Sequence, residues 1–239
     1  MEPQAHPSIR VVGTSHVAKE SERRIREAAD AFSPTIIAVE LDRQRLKALQ
    51  DRSADSAQGR AAPPLAMIRQ VGATGYLFLL VAGWLQRKVG RILQVEPGLD
   101  MLAAVGLARE RKLPLALVDQ EIAGTLRRVS ACFSAREKWR LVGDILTSPF
   151  SRRQRELAKR VRLDKVPSDA IVRELLGELR SRYPGLYRAL VTERNAHMCA
   201  RVDALARSHT GARILLVVGA AHKEDIEERL RNAGRVTLE

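Results

Sequence analysis

Two histidines occur in the same local sequence setting, one near each end of the chain. Residues 13–16 read Gly-Thr-Ser-His and residues 219–222 read Gly-Ala-Ala-His, and each motif follows an apolar run and precedes an amphipathic stretch. Because a glycine permits a tight turn after a strand, the third residue on, His16 or His222, is expected at the carboxyl edge of its strand. Imidazoles presented in this way are candidate metal ligands or proton acceptors.

Two carboxylates occupy comparable positions. Glu40 follows the apolar residues 35–39, and Asp119 follows the apolar residues 113–118. Two imidazoles with one or two carboxylates suit a divalent first-row metal such as zinc, manganese or cobalt, with an open position for water. Such a metal lowers the pKa of its bound water towards neutrality and polarises a carbonyl group. Without a metal, the same residues suit an imidazole general base that a carboxylate positions.

The elements that must position these residues follow an alternating pattern. Four apolar runs have the composition of buried strands, at residues 9–12, 35–39, 113–118 and 213–218. Stretches with helical periodicity separate them, which predicts an α/β fold with a central, mostly parallel sheet flanked by helices. Ligands of such sheets bind outside the carboxyl ends of the strands. If the strands are parallel, the two histidines and the two carboxylates face one crevice.

The segment between the third and fourth predicted strands is long, basic and mostly helical in pattern. It spans roughly residues 124–207 and predicts a helical insertion within one domain that covers residues 1–239. Residues 236–238 are an expected edge strand.

An uncharged apolar stretch precedes the third strand. Residues 76–85 lie within the window 70–86, which contains no charged residue. This window is shorter than the ~20 residues that a membrane-spanning helix needs. We therefore expect a buried helix or one that contacts a partner, such as a second copy in a homodimer. Peripheral membrane contact is the alternative that stays open.

The chain carries a large excess of positive charge. It has 41 Lys and Arg residues against 28 Asp and Glu residues, a net charge of +13, which is densest at residues 152–155 and 159–162. Such a charge attracts anionic partners, for example nucleic acid, a membrane surface or an acidic ligand. No RNA-binding signature, zinc-finger spacing or aromatic interleaving accompanies it, so a solvated basic surface is the alternative.

The composition and the missing motifs bound the class of protein. Cys132 and Cys199 lack CxxC spacing, so neither a disulfide framework nor a zinc ribbon is expected. The sequence contains no HExxH, GxSxG or P-loop motif. Residues 1–7 lack the basic and apolar regions of a signal peptide, and we expect a cytoplasmic protein.

A further set of short motifs runs along almost the whole chain. They are GTSHVAKES at residues 13–21, VELDRQRL at 39–46, PGLDM at 97–101, VDQEI at 118–122 with Thr125-Leu126, TER at 192–194 and VGAAH at 218–222. In this order they resemble the motifs of the TraB/PrgY family. That family includes a pheromone-shutdown protein and is related to the TIKI/GumN proteins, which are metal-dependent proteases.

The resemblance implies roles for individual residues. The positions proposed for metal binding and catalysis in the family fall on His16, Glu40 and His222. These are also the residues that the strand-end argument selects. Asp119 is expected as a fourth ligand or an acid–base group, and Glu193 is the alternative for that catalytic role.

Two arginines match the family motifs, and three residues differ from them. Arg45 and Arg194 match basic positions of the family and are expected either to bind a substrate carboxylate or to orient an acid by bidentate pairing. A structural arginine that bridges helices is the alternative for each. Gln120 stands where an arginine is usual, and Ala221 and Asp225 stand where glycines are expected. These departures bear on substrate binding.

Two hypotheses of function follow. The first is a metal-dependent, peptidase-like hydrolase, with its site at the carboxyl ends of the strands and manganese, cobalt or zinc as its cofactor. The second is a non-catalytic protein that sequesters a peptide or another ligand in the same crevice. Metal content and peptide turnover distinguish the two.

Overall fold

The computed structural model of the chain describes residues 7–14, 18–54, 99–147, 169–234 and 237–238. Several features of the sequence analysis lie outside these residues: His16, the apolar stretch 76–85 and the basic runs 152–155 and 159–162. Their interpretations stay predictions.

The chain divides into two compact units. The sheet unit consists of Met1–Gly59, Glu96–Glu121 and Glu193–Glu239, and the helical unit consists of Arg60–Val95 and Ile122–Thr192. The helical unit therefore ends at Thr192, and residues 193–207 of the expected insertion lie in the sheet unit.

Over the described ranges, the sheet consists of five parallel strands. They are β1 (Ser8–Thr14), β2 (Ile36–Val39), β3 (Leu115–Leu117), β4 (Arg213–Gly219) and β5 (Thr237–Leu238). Their order across the sheet is β3-β2-β4-β1-β5. Every pair is parallel, and the register places Thr14 of β1 opposite Gly219 of β4 and Val39 of β2 opposite Val217 of β4. The ends of β1, β2 and β4 therefore lie at one edge, which confirms the predicted parallel sheet.

Helices follow the strands in the alternation that the sequence predicts. They are α1 (Ala18–Phe32), α2 (Arg43–Ala54), α3 (Leu99–Glu110), α4 (Ile122–Cys132), α5 (Ala135–Thr147), α6 (Asp169–Arg182), α7 (Pro184–Tyr187), a π-helical turn (Arg188–Thr192), α8 (Glu193–Ser208) and α9 (Ala220–Ala233). Of these, α1, α2, α3, α8 and α9 belong to the sheet unit.

Each face of the sheet has its own apolar core. One core joins Ile214 and Leu216 of β4 to Met198 of α8 and Ile226 of α9. The other core joins the alternate residues of the same strands to α1 and α3. Because both faces are covered, residues 214–218 are all buried, which explains why this strand is continuously apolar rather than alternating. The α/β architecture with helices on both faces is confirmed.

The described part of the helical unit packs around Val129, Phe133, Leu186 and Ala189. Its α5 begins with a capping box, in which Glu137 Oε2 accepts hydrogen bonds from the backbone N–H and the hydroxyl of Ser134, at 2.9 and 2.7 Å. Glu137 Oε1 accepts a third bond, of 2.7 Å, from the Gly185 N–H. Burial raises the pKa of Glu137, but these bonds outweigh it and hold the pKa below the ordinary value.

Within the described ranges, no helix combines the length and the apolar character that crossing a membrane requires.

Candidate functional site

The carboxyl edge of the sheet gathers most of the polar residues that the sequence analysis selects. Glu40 directly follows β2, Asp119 follows β3 by two residues, and His222 lies in the first turn of α9, directly after β4. The side chains of all three are buried. Arg194, in the first turn of α8, connects them. We call Glu40, Asp119, Arg194 and His222 the edge cluster.

Arg194 bridges the two carboxylates of the edge cluster. Its Nη2 donates to Glu40 Oε1 and to Asp119 Oδ2, each at 2.6 Å, and its Nε donates to Asp119 Oδ1 at 3.2 Å. The Arg194 side chain is only 14% exposed. A guanidinium fork suits such a multiple contact because its donors have a fixed planar geometry. Arg194 thus sets the relative position of the ends of β2 and β3.

Among the described residues, Asp119 accepts four hydrogen bonds. Its Oδ1 accepts from the Gln120 N–H at 2.8 Å and from Arg194, and its Oδ2 accepts from Arg194 and from Arg45. A carboxylate has about four acceptor positions, so these donors saturate it. Burial raises the pKa of Asp119, but the two guanidinium groups outweigh burial and hold the pKa below its ordinary value. Asp119 is therefore an ionised anchor for the two arginines.

Arg45 reaches Asp119 from the first turn of α2. Asp42 caps that helix, because its Oδ1 accepts from the Gln44 and Arg45 N–H groups at 2.8 and 2.9 Å. Its Oδ2 accepts from Arg45 Nε at 2.7 Å. The cap residue therefore also orients the arginine. Asp42 is not among the site residues predicted from the sequence, although an aspartate three residues before an arginine at a predicted helix start indicates such a cap.

Unlike Asp119, Glu40 accepts fewer hydrogen bonds from the described residues than a carboxylate can. Its Oε2 accepts from the Gly219 N–H at 2.7 Å, and its Oε1 accepts from Arg194. Oε1 also lies 3.3 Å from His222 Nε2. The Gly219 N–H belongs to the N-cap of α9, so the carboxylate occupies the favourable positive end of that helix.

The glycine of the second Gly-x-x-His motif has a different role from the one expected. Gly219 has φ −62° and ψ 148°, an extended conformation that any residue adopts, so the expected need for a tight glycine turn is wrong at this position. A Cβ there would lie 3.5 Å from Glu40 Oε2, an ordinary contact. What the site uses is the backbone N–H that binds Glu40.

His222 is buried between Glu40, Arg194 and Asn195. Its Nε2 faces Glu40 Oε1 and lies 3.5 Å from Arg194 Nη1, and its Nδ1 lies 2.6 Å from Asn195 Oδ1. Burial lowers the pKa of His222, and although the Glu40 carboxylate raises it, the net result is a pKa below the ordinary value. The imidazole is therefore neutral at neutral pH.

Comparison of the sequence with known proteins shows its family. The family model of the TraB/PrgY/gumN family matches residues 3–237. The chain belongs to this family. An uncharacterised protein of Methanocaldococcus jannaschii is 28% identical over 226 residues, which cover 93% of this chain and 53% of that protein. A TraB domain-containing protein of Homo sapiens is 25% identical over 244 residues, which cover 92% of this chain and 62% of that protein.

The family assignment confirms the resemblance that the motifs indicate. The chain spans about half the length of one of these relatives and about three-fifths of the other. Of the short motifs that carry the resemblance, those around Glu40, Asp119, Arg194 and His222 meet in the edge cluster, and Arg45 joins it through Asp119.

Other candidate residues, Glu193, His16 and Cys199, are not members of the edge cluster as defined. Glu193 is half-buried at the first position of α8, beside Arg194 in sequence, and its catalytic role stays a prediction. Within the described ranges, no three His, Cys, Asp or Glu side chains form a metal-binding group, and His16 lies outside those ranges. Burial raises the pKa of the Cys199 thiol to about 11, so this cysteine stays protonated and is a poor nucleophile.

Proposed function

We propose that the chain is a metal-dependent hydrolase of peptides, in which His222 Nε2 and Glu40 Oε1 are two of the metal ligands. The observation that supports the proposal is the 3.3 Å distance between these two buried atoms at the carboxyl edge of the sheet. The third ligand in this proposal is His16, which comes from the first Gly-x-x-His motif.

The donor atoms suit a divalent metal. Two ligand atoms that each lie about 2.0–2.1 Å from a tetrahedral zinc ion are about 3.3–3.4 Å from one another, which agrees with the Glu40–His222 distance. The charge of the surroundings also favours a cation. The carboxylates of Glu40, Asp42 and Asp119 exceed the guanidinium groups of Arg45 and Arg194 by one negative charge.

A divalent metal bound here would supply a water molecule with a pKa near neutrality and would polarise a substrate carbonyl. The chain's own residues prepare the site for this chemistry. Arg194 and the Gly219 N–H hold the Glu40 carboxylate in place. The depressed pKa of His222 keeps its imidazole neutral, as a metal ligand must be.

The two arginines fit an orienting role better than a substrate-binding role. Both guanidinium groups already pair with carboxylates of the chain, Arg45 with Asp42 and Asp119, and Arg194 with Glu40 and Asp119. Within this proposal, they orient acids, which is one of the two roles that the motifs imply. Asp119, whose acceptor positions are all used, anchors the arginines and is neither a ligand nor a general base.

The proposal predicts peptide cleavage that depends on the edge cluster. Protein loaded with manganese, cobalt or zinc is incubated with a defined peptide library, and the products are read by mass spectrometry. We expect Glu40→Gln and His222→Ala to reduce cleavage about 100-fold or more, as losses of acid–base or ligand groups do. His197→Ala is the matched control, because His197 is exposed on the same helix as Arg194.

Two outcomes contradict this prediction. Equal cleavage by the wild type and the His222→Ala variant would move the activity to another site or to a contaminant. No cleavage by the wild type with any metal, together with peptide binding that survives in His222→Ala, would favour the ligand-sequestering alternative.

A further inference from the structure

A hydrogen-bonded chain runs from α9 through α8 and back to His222. Arg229 Nε donates to Asp225 Oδ2 at 2.7 Å, Asn195 Nδ2 donates to the same oxygen at 2.7 Å, and Asn195 Oδ1 lies 2.6 Å from His222 Nδ1. Asn195 and His222 are buried. Neither Asn195 nor Asp225 belongs to the catalytic, metal or substrate-binding residues discussed above.

The chemistry of the groups decides which atom donates at each link. An ionised carboxylate only accepts hydrogen bonds, so the Asn195 atom that faces Asp225 must be the amide nitrogen. The amide oxygen of Asn195 therefore faces His222. Because that oxygen also only accepts, the proton of the neutral imidazole must lie on Nδ1. The lone pair is then on Nε2, the nitrogen that faces Glu40.

Asp225 decides which Asn195 atom donates and which accepts in this series of hydrogen bonds. Asp225 lies three residues after His222 on α9, so the two side chains occupy neighbouring positions on one face of the helix. Arg229, one turn further on, pairs with the Asp225 carboxylate. Asp225 thereby determines which way the Asn195 amide is turned.

We propose that Asn195, oriented by Asp225, is a positioning residue that holds His222 as its Nδ1–H tautomer, so that Nε2 presents its lone pair towards Glu40. The use of that lone pair as a metal ligand rests on the proposed function, whereas the tautomer itself does not. The identity of the protonated nitrogen in a histidine is set by the hydrogen bond that one ring nitrogen makes. Residues that orient a metal-binding histidine in this way tune its affinity for the metal.

The test reads the tautomer directly in metal-free protein. Histidine is labelled with ¹⁵N, and two-bond ¹⁵N–¹H correlation spectra are recorded at about pH 8, where a histidine of ordinary pKa is neutral. The His222 signals are assigned from their loss in His222→Gln. We expect the Nδ1–H pattern in the wild type, its loss in Asn195→Leu, and no change in the control His197→Gln.

Exchanging the residue types at positions 195 and 225 tests which of the two side chains donates the hydrogen bond between them. Asn195→Asp alone places two carboxylates together, whereas Asn195→Asp combined with Asp225→Asn restores one acceptor and one donor at that link. In the combined variant the carboxylate at position 195 accepts from His222 Nδ1–H and the amide at position 225 donates to that carboxylate, so the Nδ1–H pattern is expected to be retained. A merely structural role of Asn195 does not require this result. If Asn195→Leu does not fold, the combined variant still tests the proposal.

Several results would overturn the positioning role. They are an Nε2–H pattern in the wild type, an unchanged pattern in folded Asn195→Leu, or an Nε2–H pattern in the combined variant. Metal titration of the same samples separates this proposal from the proposed function. Metal affinity that falls about 10–100-fold in Asn195→Leu supports both. A wild type that shows the Nδ1–H pattern but binds no metal supports the positioning role and contradicts the hydrolase.

Discussion

Replacing Arg194 by methionine is expected to lower the free energy of unfolding by about 3–5 kcal/mol, because it removes one partner of a buried ion pair. Arg194 is the cation that Glu40 and Asp119 share, and the Asp119 side chain is 0% exposed. Without the guanidinium, two carboxylates at the sheet edge lose their main charged contact. Methionine is of similar length, so the change removes charge and hydrogen bonds more than volume.

Urea unfolding of the wild type and the Arg194→Met variant measures this effect. The matched control is Arg207→Met on the same helix, because Arg207 is 56% exposed and pairs with Asp203 one turn away. Such an exposed pair contributes about 0.3–0.5 kcal/mol. Similar losses in the two variants would contradict the view that Arg194 holds the edge cluster together.

The effect of Arg194→Met is also expected to depend on pH. In the wild type, the lowered pKa of Asp119 contributes stability that is present above the unfolded pKa of about 3.9 and is lost as the pH falls through the folded value. In the variant, Arg194 no longer lowers the pKa of Asp119, so burial raises that pKa further. The variant therefore loses less stability on acidification. The difference in unfolding free energy should therefore shrink mainly below about pH 5, as the pH falls through the unfolded pKa of Asp119. A difference that stays constant down to about pH 3 would contradict this explanation.

Replacing Gly185 by alanine is expected to destabilise the helical unit by about 3 kcal/mol, at the upper end of what overpacking costs. A Cβ on Gly185 would lie 2.0 Å from the Cys132 carbonyl oxygen and 2.7 Å from Glu137 Oε2. The first of these atoms belongs to the backbone and cannot rotate away. Because the Cβ also meets the Glu137 carboxylate, a shift that relieves both contacts is expected to move Gly185 away from Glu137 and so to weaken its N–H bond to the residue that caps α5.

Gly177→Ala is the matched control for this substitution. Gly177 lies inside α6, and a Cβ there would meet nothing within 4 Å, so alanine should stabilise the helix by up to about 1 kcal/mol. Urea unfolding gives the two free energies, and hydrogen exchange with mass spectrometry locates the change. Loss of protection in α4 and α5 is expected for Gly185→Ala. Equal stability of the two variants would contradict the close approach at Gly185.

The location of the edge cluster could be predicted from the sequence because one physical rule connects the strands to the site. Continuous apolar runs indicate strands that are buried on both faces, such strands are usually parallel, and parallel strands end at one edge. Glu40, Asp119 and His222 follow from their places at the ends of those runs. The TER motif adds Arg194 through family resemblance, without a physical reason from the sequence alone.

The partners within the edge cluster could not be predicted, because they depend on how α8 and α9 pack together. Asn195 faces His222 across 27 residues of sequence separation, and no periodicity connects the two. Asp225 stands where the family resemblance predicts glycine, so comparison of motifs gives no reason to expect a side chain there that orients Asn195. The sequence also does not show that the acceptor positions of Asp119 are all used, because its donors come from α2, α8 and its own loop.

The metal content of the purified protein shows whether the edge cluster and His16 bind a metal ion. Protein purified without chelator, and then incubated with manganese, cobalt or zinc, is analysed for metal per chain in the wild type and in His16→Ala, Glu40→Gln and His222→Ala, with His197→Ala as the control. We expect near-stoichiometric metal in the wild type and in the control, and its loss in the other three variants. A wild type that takes up none of the three metals, or a His222→Ala variant that retains them, would contradict this prediction.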